Sequence, residues 1–223
     1  MVDVTAGVPD RGSARAGLTD DSIEREAARG AYWSGSRLFV ALSAMMFGGA
    51  AFAYFYLHSL DSAGLWRAPG QRPSDFISVP VLALTVVGAA LFWLYTRQML
   101  AGQSNSADWR VATGVAAAMF LLAAGLQLWG MTRTGFYPGS SGYASVYVAV
   151  MPVFAVYCLG ATYWLETLLA RSLRVRWVVS PEGANVDSPE RVMFAGSATG
   201  AKVFVVLVAL VSVLLFLLFS IIT

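Results

Sequence analysis

Five stretches of the chain contain no charged residue: 38–57, 76–96, 111–132, 143–165 and 203–223. Each is about 20 residues or longer, enough for a helix to cross the hydrocarbon layer at about 1.5 Å per residue. Lipid offers the backbone no hydrogen-bond partners there, so such a run must be helical. A transmembrane barrel would need strands of about ten alternating residues, and none of the five alternates. The pattern predicts an all-α integral membrane bundle of five transmembrane helices over residues 31–223, behind a polar tail over 1–30.

The tail is rich in Asp, Glu, Arg, Gly and Ala and has no apolar core, so it does not read as a cleaved secretory signal. It is expected to be disordered at first and helical around 20–29, where Ser22 would cap and Glu24 and Glu26 precede Arg29. The longest connection, 170–201, alternates over 173–179 like a short strand. Ser180-Pro181-Glu182-Gly183 then reads as a turn.

The basic residues supply a direction. Arg11, Arg15, Arg25, Arg29 and Arg37 precede the first span. Arg97 and Arg110 fall in the second loop, and Arg171, Arg174, Arg176, Arg191 and Lys202 in the fourth. That is 12 on one side, against Arg67, Arg72 and Arg133 on the other. The positive-inside rule predicts a cytoplasmic N-terminus and an outside C-terminus. Tyr32, Trp33, Trp93, Tyr95, Trp109, Tyr163 and Trp164 then belong to the inner interface. Tyr54, Tyr56, Trp129, Tyr137 and Tyr143 belong to the outer one, all as anchors.

The spans differ in side-chain size. In 111–132, 11 of 22 residues are Ala, Gly or Thr, so this helix is expected to be the most enclosed. Gly114 and Gly125 are its close-packing candidates. Gly48 and Gly49 mark a second such surface in the first span. In 203–223, 17 of 21 residues are Val, Leu, Ile or Phe, and this helix is expected to face lipid on most sides. Gln127 is the largest polar residue inside a span and is expected to form an interhelical hydrogen bond. Ser43, Thr85, Thr113, Ser145 and Thr162 are smaller candidates.

Composition agrees with this picture: 57% of residues are apolar and 13% charged, where a soluble domain carries about 25% charged residues. It also limits the chemistry. The chain has one His, His58, and one Cys, Cys158. Haem ligation in a bundle needs axial His or Met, usually His. Structural zinc needs about four N or S ligands, and a copper electron-transfer site needs two His and a Cys. Neither His58, read as an interfacial polar residue, nor Cys158, read as a small packing residue, supplies such a set. Ion and proton carriers usually hold charged groups within the span. Here Glu166 lies at a span end, where its side chain can snorkel to the headgroups. Nothing in the sequence points to nucleic acid. These residues alone predict a membrane accessory subunit or a small carrier, with no catalytic, cofactor-binding or metal residue on the chain.

The order of local motifs adds to this. The first span, Leu38-Phe39-Val40-Ala41-Leu42-Ser43-Ala44-Met45-Met46-Phe47 and on to Phe55-Tyr56-Leu57-His58, resembles the first shared span of subunit III of the haem–copper cytochrome c oxidases. Gly64-Leu65-Trp66-Arg67-Ala68-Pro69, followed by Ser78-Val79-Pro80, is similar to that family's passage into its next span. Gln127 falls where the family has a glutamine near the outer end of a span. The stretch from Gly135 to Tyr147 resembles its approach to the fourth. Five spans with the N-terminus inside match the family's short bacterial form.

The resemblance covers residues 32–169 and a last span of suitable placing. It implies a non-catalytic component of a bacterial terminal oxidase in the cell membrane. Such a chain stabilises the catalytic subunit I, sits beside other respiratory subunits and holds phospholipid, while haem and copper reside on partner chains. The family's membrane glutamates correspond here to about Ala44 and to Gly130, and two histidines to about Phe154 and Tyr157, with Pro152 nearby. Roles of those groups therefore do not transfer. An accessory subunit of a nitric-oxide reductase or other respiratory complex, or a stand-alone transporter, is the alternative reading.

Overall fold

The computed structural model describes residues 20–61, 64, 66–103, 105–135, 137–175 and 188–222. They form five long helices: α1 (Asp20–Ser59), α2 (Asp75–Leu100), α3 (Ser106–Arg133), α4 (Gly142–Arg174) and α5 (Pro189–Phe216). All five are long and apolar enough to cross a membrane, and the protein is an all-α multi-pass membrane bundle. Helix α5 ends in a single π-helical turn, Leu217–Ile221.

Each helix outruns its charge-free stretch, because Arg, Glu, Gln and Ala continue a helix as readily as apolar residues do. Helix α1 begins at Asp20 and passes without a break through the expected boundary of the polar tail. Its 40 residues make a rod of about 60 Å, twice the thickness of the hydrocarbon layer. At the fourth connection, α4 runs to Arg174 and α5 starts at Pro189. The strand expected over 173–179 is therefore replaced by helix at Leu173 and Arg174, and its residues 176–179 lie outside the described residues, as does the turn at 180–183. Two starts are capped by side chains: Asn105 Oδ1 accepts from Ala107 N at 3.2 Å, and Ser141 Oγ from Ala144 N at 3.0 Å.

Helix α5 packs against α1, α2 and α4, while α3 packs against α2 and α4. The last helix thus returns between the first two. In its most apolar 18 residues 56% are buried, against 44% in α3 and 17% in α1. This reverses two expectations: α5, not the small-residue helix α3, is the most enclosed, and the aliphatic helix does not face lipid on most sides. Val205 and Val208 are buried completely or nearly so. The physical reason is that a membrane bundle's core and its lipid surround are equally apolar, so aliphatic content does not separate inside from outside.

The close-packing glycines also differ from those expected. A Cβ at Gly48, Gly49 or Gly125 would meet nothing within 4 Å, so these positions serve no packing within this chain. At Gly114 the nearest atom would be Leu169 Cδ2 at an ordinary 3.7 Å. The tight approaches lie elsewhere. A Cβ at Gly200 would sit 2.5 Å from Ser36 Oγ and 3.2 Å from Trp164, and one at Gly142 would sit 2.7 Å from the Trp66 ring. At Gly130 it would lie 2.9 Å from Ile77 Cγ2, and at Gly88 3.3 Å from Met119 Cβ.

Several expected interfacial aromatics are core residues. Trp109, Tyr54 and Tyr143 are at most 1% exposed. The Trp109 indole donates to Thr96 Oγ1 at 3.1 Å and its ring meets Phe194 edge-on at 5.5 Å. Tyr56, Trp129, Tyr137 and Tyr163 do lie on the outside of the bundle. Cys158 is buried, as a packing residue would be.

Candidate functional site

Loops one and three meet at the arginine-poor end. Gln71 Nε2 donates to Ser140 Oγ at 3.1 Å, Ser141 Oγ donates to Gln71 Oε1 at 2.5 Å, and Tyr143 N donates to the Trp66 carbonyl at 3.1 Å. Gly70, at φ 85°, turns the chain here into a left-handed conformation that favours glycine. The same end holds the C-terminal turn of α5. Its carbonyls lack helical donors and take them from side chains instead: Tyr143 Oη donates to Phe219 O at 2.9 Å and Arg72 Nη2 to Ser220 O at 3.2 Å. Arg72 also pairs with Asp75 at 3.2 Å.

Beneath this clasp lies a cavity of about 180 Å³. Arg72, Ser74, Ser78, Gln127, Arg133 and Tyr147 supply its polar wall, while Pro73, Ile77 and Gly130 supply its apolar one. Ser78, Gln127 and Tyr147 also line a smaller pocket of about 30 Å³. That pocket reaches Ser212 on α5 and Phe154 on α4, and its volume suits a water molecule or two. Gln127 is 6% exposed and lines both pockets together with Tyr147 of α4.

The other expected site residues are scattered. Gly48 and Gly49 lie exposed on α1, and Gly125 lies exposed one turn before Trp129. Pro152 lies part-buried inside α4, where it removes the hydrogen bond to the Val148 carbonyl without interrupting the helix. Ala44 is exposed. Tyr157 shares a 2.9 Å hydrogen bond with Ser43 on α1. The remaining polar candidates mostly bond to their own helices: Thr85 to Val81 O at 2.9 Å, Thr113 to Trp109 O at 2.7 Å, Thr162 to Cys158 O at 3.1 Å and Ser145 to Ser141 O at 2.8 Å. His58 is exposed, with its ring stacked on Tyr54 at 6.4 Å.

Gln127 stands out in the sequence, whereas the cavity it lines does not. The available signal was that Arg72 and Arg133, two of the three basic residues on the poor side, flank the spans holding Ser78 and Gln127. At the opposite end Arg110 Nη2 donates to the Ser172 carbonyl at 2.8 Å, closing the last turns of α4. No group of three His, Cys, Asp or Glu able to hold a metal occurs among the described residues. The chain matches no model of a known protein family and no curated protein.

Proposed function

We propose that this chain is a non-catalytic, subunit III-like component of a bacterial haem–copper terminal oxidase, serving aerobic respiration in the cell membrane. It stabilises the catalytic subunit by packing and by retaining phospholipid, while haem and copper sit on partner chains. Support comes from the ordered motifs between Leu38 and Tyr147 and from five membrane-spanning helices whose apolar stretches carry no charged residue. The observation that carries the reading is that absence of charge: no Asp, Glu, Lys or Arg lies in these stretches, so they offer no titrating carboxylate or amine for a proton path. The exposed small-residue face of α1 at Gly48 and Gly49 is available to a neighbouring helix.

The test is gentle solubilisation from native membranes followed by an absorption spectrum and identification of co-purifying chains. The expected result is a complex with haem bands and a His-rich catalytic subunit. Recovery of this chain without any haem-bearing partner would refute the assignment and favour a stand-alone transporter.

The orientation is part of the same proposal. With 12 basic residues on one side and three on the other, a reporter fused after Thr223 is expected to be active only outside the cytoplasm. Cytoplasmic activity of that fusion would invert the topology.

A further inference from the structure

We propose that the cavity at the arginine-poor end binds a small monoanionic oxyanion, a carboxylate in the first instance. The charge balance of its wall leads to this class. The charge of Arg72 is already opposed by Asp75 and one of its donors is taken by the Ser220 carbonyl. Arg133 has no carboxylate partner among the described residues, and its guanidinium lies over the Trp129 ring, 5.5 Å from the centroid. The wall therefore carries one uncompensated positive charge, which suits one negative charge. A dianion would leave an excess beside Asp75.

The remaining lining completes the match. Guanidinium presents paired donors to a carboxylate or phosphodiester. Gln127 and Tyr147, both more than nine-tenths buried, also line the cavity. The N-terminus of α2 opens onto it at Ser74, whose side chain makes no capping bond, and adds a partial positive charge. Ile77, Pro73 and Gly130 leave an apolar side for a short alkyl group. A volume of about 180 Å³ holds a few heavy atoms and no acyl chain. The same oxyanion chemistry could arrive free in water or as the headgroup of an acidic phospholipid. The proposal stands independently of the oxidase assignment.

The test uses the full chain, with whatever partners co-purify, in nanodiscs of zwitterionic lipid. Saturation-transfer NMR is recorded with propionate and with its neutral isostere propionamide. Propionate is expected to bind saturably, with propionamide at least roughly tenfold weaker. Arg133→Gln is expected to weaken propionate about tenfold. Arg97→Gln, which removes the matching guanidinium 5.7 Å from the Trp93 ring centroid at the other end, is expected to change nothing. Repetition in phosphatidylglycerol-containing nanodiscs identifies the source. Competition with propionate there assigns the site to a lipid headgroup, and its absence assigns it to a free anion. Equal binding of acid and amide, or equal loss in both arginine variants, would overturn the proposal.

Discussion

Gly200→Leu is expected to destabilise the bundle by about 3 kcal/mol or more, while Gly125→Leu leaves the isolated chain within about 0.5 kcal/mol of the parent. Gly200 lies on α5, where that helix approaches α1 and α4 at once. Even a methyl group there would stand 2.5 Å from Ser36 Oγ and 3.2 and 3.3 Å from two atoms of the Trp164 indole. Both neighbours are constrained: Ser36 is buried, and Trp164 donates through Nε1 to Ser197 Oγ at 3.2 Å and packs on Phe204 at 5.7 Å. A turn of the Ser36 hydroxyl relieves only the first contact; the Trp164 indole cannot yield without losing its own partners, so a leucine side chain would push the helices apart. At Gly125 a side chain enters open space. Denaturant titration in detergent or lipid checks both variants. Equal loss in the two would mean that α3 at Gly125 is packed as tightly as α5 at Gly200. Assembly with a partner is a separate readout, because Gly125 is free to meet a neighbouring chain.

Trp109→Ala is expected to cost about 3–5 kcal/mol, the range for removing a large buried aromatic side chain. The indole is fully buried where α2, α3 and α5 converge, near Phe92 and Phe194, with ring centroids at 6.4 and 5.5 Å. Its Nε1–H reaches Thr96 Oγ1, itself completely buried. Trp109→Phe keeps most of the ring area but leaves that hydroxyl without its donor, and is expected to cost about 1–3 kcal/mol. Unfolding midpoints of the two variants separate the packing contribution from the hydrogen bond. An alanine variant within about 1 kcal/mol of the parent would place Trp109 at a lipid interface, where headgroups and solvent replace its contacts.

Trp109 also illustrates why interfacial aromatics were only partly legible. It stands four residues into α3, beside Arg110, at the depth where a membrane anchor belongs. Depth along the bilayer normal is readable from distance to the nearest charge. Which way a side chain faces at that depth depends on where the neighbouring helices lie. Tyr163 and Trp164 are adjacent in sequence, yet Tyr163 is 75% exposed while Trp164 turns toward Ser197 and Phe204.

The sequence by itself determined that the chain crosses a membrane as five helices, because an uncharged run of about 20 residues has no other way to satisfy its backbone in lipid. It also singled out Gln127 as the polar group that must find a partner across a helix interface, because an amide in hydrocarbon is costly unpaired. Only the tertiary structure decided which helix is central. In water, apolarity would have marked the buried face of each helix, but in lipid the core and the surround are alike, and position is set by shape and by who approaches whom. The return of α5 between α1 and α2 therefore could not be read from its valines and leucines. The glycines follow the same logic. Gly48, Gly49 and Gly125 are intrinsically as permissive of close packing as Gly200, Gly142 and Gly130, and only the placement of Trp164, Trp66 and Ile77 opposite the latter makes them indispensable. The cavity beneath Arg72 and Arg133 is likewise a product of assembly. Its walls come from two loops, α2, α3 and α4, segments that are separated in sequence and brought together by the loop clasp of Gln71 with Ser140 and Ser141.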